Sequence, residues 1–282
     1  MLSRTENELI TRTGPGTPMG ELWRRFWLPA MSSSELPVAD CPPVRLRLLG
    51  EDLIAFRSSD ARVGLVANNC PHRGASLFFG RNEEQGLRCV YHGWKFALNG
   101  ACVDMPNEPA ESNFKSKVHV TAYPCREVNG IVWTYMGPAG FEPELPQLGF
   151  NLVPQENMYG LKILVESNYL QAMEGDIDSS HSSFLHAALA GPLDASFHER
   201  RRAGIAVLRG QAMDFSLDEN RAKMQAADPA PRFTTKDTDF GVLIGAARKA
   251  SEAQDYWRIT PWLAPGYSLI PKAPGDTPSQ CN

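Results

Sequence analysis

Over residues 1–40 the apolar positions are sparse and fall at helical spacing. Leu9 and Ile10 follow Ser3 and Glu6, a pair that fits a capping box, and Gly14 is placed to end that helix. Thr17-Pro18 suits the first turn of a second helix carrying Leu22, Trp23 and Phe26. From about Val44 the pattern changes to short alternating runs, Val44 to Leu49, Leu53 to Phe56 and Val63 to Val66, broken by Gly50-Glu51-Asp52 and Ser58-Ser59-Asp60. Asn99-Gly100 and Asn129-Gly130 each lie between β-prone segments and suit type I′ hairpin turns. Gly137-Pro138, Pro143 and Pro146 then make a stiff, extended connection before another strand-like run, Leu161 to Val165. The expected organisation is a helical segment over 1–40, a small antiparallel β domain over 41–145 and a second domain over 146–282. No internal repeat or low-complexity tract interrupts it.

Composition narrows the function classes. A chain of 282 residues with 43% hydrophobic content can bury one large core or two modest ones. The formal net charge is -4 and the dense basic run is confined to Arg200, Arg201 and Arg202, which argues against nucleic-acid binding. Met1 to Arg12 is polar and lacks an apolar core of the signal-peptide kind, and no stretch is long and apolar enough to span a bilayer. A soluble cytoplasmic protein without membrane attachment is expected. Six cysteines without an export signal point to free thiols or metal ligands rather than disulfides.

Two of those cysteines keep company with histidine, in Cys70-Pro71-His72 and Cys89-Val90-Tyr91-His92. A [2Fe-2S] centre with two thiolates on one iron and two imidazoles on the other needs one cysteine and one histidine from each of two loops. Gly74 and Gly93 follow the two pairs and let the backbone turn tightly there. A structural zinc site also accepts two cysteines and two histidines, although a zinc finger pairs its cysteines in one knuckle and its histidines in another. Cys41, Cys102, Cys125 and Cys281 have no histidine at ligand spacing and are expected to be free thiols that pack as small apolar groups. His119 and His198 have no partner at ligand spacing either.

Cys70-Pro71-His72-Arg73-Gly74 and Cys89-Val90-Tyr91-His92-Gly93-Trp94 resemble the Rieske domains of ring-hydroxylating oxygenases. Ala75 and Tyr91 stand where respiratory Rieske proteins carry a disulfide-forming cysteine pair. The resemblance implies that Cys70, His72, Cys89 and His92 hold a Rieske-type [2Fe-2S] cluster. It also implies an α+β fold, with the small antiparallel β Rieske domain followed by a partial helix-plus-antiparallel-sheet catalytic domain.

A second constellation lies between Asn168 and His186. Non-haem iron(II) that activates O₂ takes two imidazoles and a carboxylate on one face. His181 and His186 are the imidazole candidates, yet residues five apart on a regular helix point about 140° away from each other, so a distorted helix is expected there. The segment Asp178-x-x-His181-x4-His186 resembles the mononuclear-iron motif of the same family. The resemblance makes His181 and His186 ligands of a mononuclear Fe(II). It makes Asp178 the acid that links His92 of one subunit to His181 of its neighbour. Glu174 precedes Asp178 by one turn and either tunes that acid or is an ordinary exposed glutamate.

Gly14-Pro15-Gly16-Thr17-Pro18-Met19-Gly20-Glu21-Leu22, Cys102-Val103-Asp104-Met105-Pro106 and Tyr256-Trp257-Arg258-Ile259-Thr260 are most similar to the phthalate-dioxygenase-like branch. Membership implies a homotrimer. It also implies NADH-driven hydroxylation or oxidative demethylation of an aromatic carboxylate, with O₂ as co-substrate and an aromatic-compound catabolic role. No glycine-rich dinucleotide fingerprint follows a strand, so a separate NADH-dependent reductase with flavin and a ferredoxin-type centre is the expected donor. The family's carboxylate iron ligand would lie beyond position 282, and Asp194, Asp214, Asp218, Asp237, Asp239, Glu252, Asp255 and Asp276 read as solvated side chains. A truncated oxygenase subunit is therefore expected. The alternatives are an electron-transfer or vestigial Rieske protein without oxygenase activity and, more remotely, a zinc-stabilised interaction module.

Overall fold

The computed structural model describes residues 2–158, 160, 162–185, 228–270 and 280–281. Contacts divide it into two compact units, Met1–Leu164 and Val165–Asn282.

The first unit opens with α1 (Arg4–Thr11) and α2 (Pro18–Trp23). Ser3 and Glu6 form the expected capping box, and Thr17 caps α2 with Pro18 at its first position. α1 stops at Thr11, with Arg12 as its C-cap, before Gly14 is reached. The strands are β1 (Trp27–Ser32), β2 (Val44–Leu48), β3 (Glu51–Arg57), β4 (Val63–Ala67), β5 (Arg81–Glu83), β6 (Gly86–Arg88), β7 (Lys95–Ala97), β8 (Cys102–Asp104), β9 (Ala122–Tyr123), β10 (Cys125–Val128) and β11 (Ile131–Tyr135). They form three antiparallel sheets, ordered β2-β3-β4-β9, β5-β6-β7-β8 and β1-β11-β10. β1 thus brings residues from the opening stretch into a sheet with a hairpin about a hundred residues later, a non-local pairing that local pattern does not reveal.

The two Asn-Gly signals resolve differently. Asn129 and Gly130 have φ of 48° and 73°, with Val128 paired to Ile131, as a type I′ turn requires. At Asn99-Gly100 only Gly100 has positive φ, 80°, and its N–H reaches the Ala97 carbonyl while Ala97 N–H reaches Ala101. That is a longer loop closed by a glycine bulge, and the register shift between Lys95 and Phe96 goes with it. Among the described residues of the strand expected over Leu161 to Val165, 162–165 are irregular.

β3 explains how one small unit carries two cores. Its side chains alternate with period two and both faces are covered. Ile54 and Phe56 join Val66, Leu77, Leu87 and Phe96 on the side that holds Cys70, Cys89 and Trp94. Leu53 and Ala55 join Leu28, Met31, Leu36, Leu65 and Val132 on the other. The helical segment is tied to this frame by Arg24, which donates to Glu51 Oε1 at 2.7 Å while the Tyr123 hydroxyl donates to Glu51 Oε2 at 2.6 Å.

The second unit contains α3 (Tyr169–Ile177) and a five-stranded antiparallel sheet in sequential order: β12 (Arg232–Thr238), β13 (Gly241–Lys249), β14 (Asp255–Leu263), β15 (Tyr267–Ile270) and β16 (Gln280–Cys281). α3 packs against β15, and the Trp262 indole N–H donates to Met173 Sδ at 3.0 Å. Among the described residues no helix is long and apolar enough to cross a membrane.

Candidate metal centres

The loops before β5 and β7 carry the two Cys/His pairs and repeat one backbone device. Cys70 N–H bonds the Ala75 carbonyl and Gly74 N–H returns to the Cys70 carbonyl; Cys89 N–H bonds Trp94 and Gly93 N–H returns to Cys89. Gly74 and Gly93 close these turns at φ of 72° and 75°, a left-handed conformation that costs a β-carbon-bearing residue. The result is a pair of matched loops that hold the four side chains together. The His72 and His92 rings meet edge to face at 4.5 Å between centroids, and Cys70 and Cys89 lie in the same buried cluster. Both thiols are buried, at 3% exposure.

Aromatic packing fixes His72 from behind. The Trp94 indole stacks on its ring at 4.4 Å and 8° between planes, and the indole N–H donates to Asn107 Oδ1 at 2.7 Å. Tyr91 lies against His92 at 3.9 Å. Arg88 braces the second loop by donating to the Gly93 carbonyl, Glu83 and Asp104 at 2.7, 2.6 and 2.6 Å.

Electrostatics agree with a metal-ligating role. Burial pushes the Cys70 thiol up to about 11, and the neighbouring Cys89 adds to the rise, so a cation is needed to make the thiolate comfortable there. Partial burial, then the facing His92, lower the His72 pKa and favour the neutral, ligating ring. His72 Nδ1 is buried without a hydrogen-bond partner among the described residues, as a nitrogen reserved for a metal would be. No three Cys, His, Asp or Glu side chains among the described residues converge as a single-ion site requires. A [2Fe-2S] cluster takes only two protein donors per iron, so a thiol pair beside an imidazole pair fits it, whereas tetrahedral zinc needs all four around one point.

The second constellation is built where α3 breaks. Asp178 is its C-cap, bonded through its N–H to the Glu174 carbonyl, and the chain re-forms as a 3-10 turn over His181–Ser183. This break lies upstream of His181, whereas the distortion expected between His181 and His186 runs to a residue outside the described ones. The Asp178 carboxylate accepts from Ser180 N–H at 2.8 Å and His181 N–H at 2.9 Å, and its Oδ2 lies 2.9 Å from His181 Nδ1. Burial raises the Asp178 pKa, but these hydrogen bonds outweigh it and hold the carboxyl below its ordinary value. An ionised carboxylate on Nδ1 directs the other ring nitrogen, Nε2, toward a metal. Glu174 is exposed and meets Asp178 through its backbone. His186, His198, Asp194, Asp214, Asp218 and Asp276 lie outside the described residues. Asp255 is engaged with Arg232 and Lys249, each at 2.9 Å.

Sequence reasoning missed three supporting residues: Asn107, Arg88 and Arg248. Asn107 sits in an irregular loop, Arg88 in an ordinary-looking short strand and Arg248 near the end of β13, and none carries a local signature of its partner.

Residues 26–124 match the family model of the Rieske [2Fe-2S] domain, and residues 134–276 match the LigXa C-terminal domain like family. The 3-chlorobenzoate-3,4-dioxygenase oxygenase subunit of Comamonas testosteroni is 43% identical over 268 residues, which are 95% of this chain and 57% of that protein. The phthalate 4,5-dioxygenase oxygenase subunit of Pseudomonas putida is 39% identical over 274 residues, 96% of this chain and 58% of the relative. A crystal structure of dicamba monooxygenase shares the fold with a TM-score of 0.59 at 19% identity, over 92% of this chain and 68% of that one. The chain thus spans well under two thirds of the length of these two curated relatives.

Proposed function

The chain belongs to the family of Rieske oxygenase alpha subunits, and from that premise we propose that it works as the oxygenase component of a ring-hydroxylating or demethylating system acting on an aromatic carboxylate. Cys70 and Cys89 on one iron and His72 and His92 on the other hold its [2Fe-2S] cluster. His181 and His186 bind a mononuclear Fe(II), and Asp178 joins this site to the cluster histidine of a neighbouring subunit in a homotrimer. Its partners are a ferredoxin-type centre, a flavin-containing NADH-dependent reductase, O₂ and a small aromatic substrate, in the cytoplasm.

When bound, the cluster supplies single electrons and the mononuclear iron supplies O₂ activation. The chain's own residues prepare both sites. The matched loops bury the thiols away from water, and Trp94 fixes the plane of the His72 ring. Asp178 selects the His181 tautomer by accepting its Nδ1 proton, and the same carboxylate can take up or release a proton as charge arrives.

The observation that favours an oxygenase over a protein that only relays electrons is the 2.9 Å contact of Asp178 with His181, a carboxylate locked onto one ring nitrogen. Iron and labile-sulfide analysis of the reconstituted chain tests it. About three irons per chain are expected, falling to about two in His181→Ala with the cluster EPR signal intact. Two irons in both proteins would overturn the oxygenase reading. In Asp178→Asn the amide still fills the space but its neutral oxygen accepts the Nδ1 proton more weakly than a carboxylate, and Fe(II) affinity is expected to fall by about 10- to 100-fold in chelator competition.

A further inference from the structure

Beneath the Asp178 break lies a buried cation that the proposed reaction does not use. Arg248, in β13, is 0% exposed. Its Nε donates to the Asp228 carbonyl at 3.1 Å, Nη1 donates to Ser179 Oγ at 3.0 Å, and Nη2 donates to the Ser179 carbonyl. Among the described residues no carboxylate lies within ion-pair distance of it, and the carboxylates whose charge favours it are those of Asp228 and Asp178. The Asp228 carboxylate is itself committed to the N–H groups of Lys249 and Ala230. A guanidinium cannot shed its proton in a protein, so burying one for the sake of backbone and hydroxyl acceptors is a strong commitment to those acceptors.

Two of those three acceptors belong to Ser179, the residue between Asp178 and the turn that presents His181. Ser179 is 4% exposed, and its carbonyl also takes the Ser182 hydroxyl at 2.7 Å. The Ser179 peptide is therefore held from two sides while the Asp178 carboxylate closes on Ser180 N–H, His181 N–H and the His181 ring. β13 pairs with strands on both edges, which makes its side chains a rigid base.

We propose that Arg248 is a positioning residue for the mononuclear-iron site: its two-pronged grip on Ser179 fixes the helix break so that Asp178 can hold the His181 imidazole in its ligating orientation. The inference rests on the reading of His181 as an iron ligand.

The test uses the full chain with its [2Fe-2S] cluster in place. Fe(II) affinity is read by competition with a chelator, and the Rieske EPR signal and thermal unfolding report cluster and fold. Arg248→Met is expected to lower Fe(II) affinity by about 10- to 100-fold with the EPR signal unchanged, and Arg248→Lys to recover only part of it, because an ammonium lacks the fork that meets carbonyl and hydroxyl together. Ser179→Ala removes one prong and is expected to give a smaller loss that adds nothing in the double variant with Arg248→Met. It carries the test if Arg248→Met does not fold. A folded Arg248→Met with wild-type affinity, or in its place a Ser179→Ala with wild-type affinity, overturns the positioning role. His181→Ala separates the two levels. If it loses Fe(II) while Arg248→Met does not, only the positioning role fails; if it binds Fe(II) as the wild type does, the iron-ligand reading fails and takes this inference with it.

Discussion

The two Cys/His loops and the Asp178 turn, the proposed metal sites, both orient imidazoles, and they do so by opposite means. In the first unit the backbone does the work: two loops of the same hydrogen-bonding form, each closed by a left-handed glycine, bring a thiol and an imidazole apiece to one place. Side chains there trim the result, with Trp94 against His72 and Arg88 against the second loop. In the second unit the backbone breaks, and side chains repair the break, Asp178 from one side and Arg248 from beneath. A centre with four donors on two irons rewards repeated local geometry. A single imidazole at a helix end has no such template, so its orientation depends on a carboxylate and on whatever anchors that carboxylate.

The contrast can be broken most severely at a cluster thiol. Cys89→Ala is expected to abolish the visible spectrum and the Rieske EPR signal, because it removes one of the two thiolates proposed to hold an iron. The Asp178 turn shares no local element with that loop, so Fe(II) bound through His181 should persist in chelator competition. Joint loss of both metals would show that the two regions are not independently built.

A smaller effect separates the glycines of the two matched loops. A β-carbon at Gly74 meets nothing within 4 Å, whereas one at Gly93 would come within 2.7 Å of Pro106 Cγ. Gly74→Ala should carry only the left-handed backbone penalty of about 1–2 kcal/mol. Gly93→Ala should cost more and also shift the EPR g-values, since Pro106 or the loop must move. Equal losses in thermal unfolding would mean that the surroundings of the two glycines are more alike than the packing indicates.

The smallest expected effect sharpens the picture of the frame around the cluster rather than the cluster itself. Arg57 grips Glu127 with two bonds, at 2.8 and 3.0 Å, and this pairing holds the Glu127 carboxyl below its ordinary value. A depressed folded-state pKa means stability that is fully present above the unfolded value of about 4.3 and is lost as pH falls through the lower folded value. Glu127→Gln should therefore weaken the protein slightly at neutral pH, by no more than about 1 kcal/mol for so exposed a partner, and flatten the acid limb of its unfolding curve. An unchanged acid limb would remove the pair from the stability of the first unit.

Much of this was legible in the residues. Ser3 and Glu6 cap the first helix as spaced, Thr17-Pro18 opens the second, and Asn129-Gly130 makes the turn its dipeptide implies, because each signal is satisfied within a few residues. The two Cys/His pairs are legible for the same reason: each loop is a closed local device, and its chemistry is written in consecutive positions. Asn99-Gly100 was less decisive, since the bulge beside it depends on how Lys95 and Phe96 pair across the sheet.

What the sequence by itself determined was therefore the two Cys/His loops, the capped helices and the sheet-rich class, all consequences of interactions that span a handful of residues. Only the tertiary structure decided that β1 joins β11, that β3 serves two cores, that Asn107 orients the indole behind His72 and that Arg248 lies under Ser179. Those contacts join positions far apart along the chain. Their energy comes from burial and from polar groups that find partners only once the sheets have packed, so no local pattern announces them.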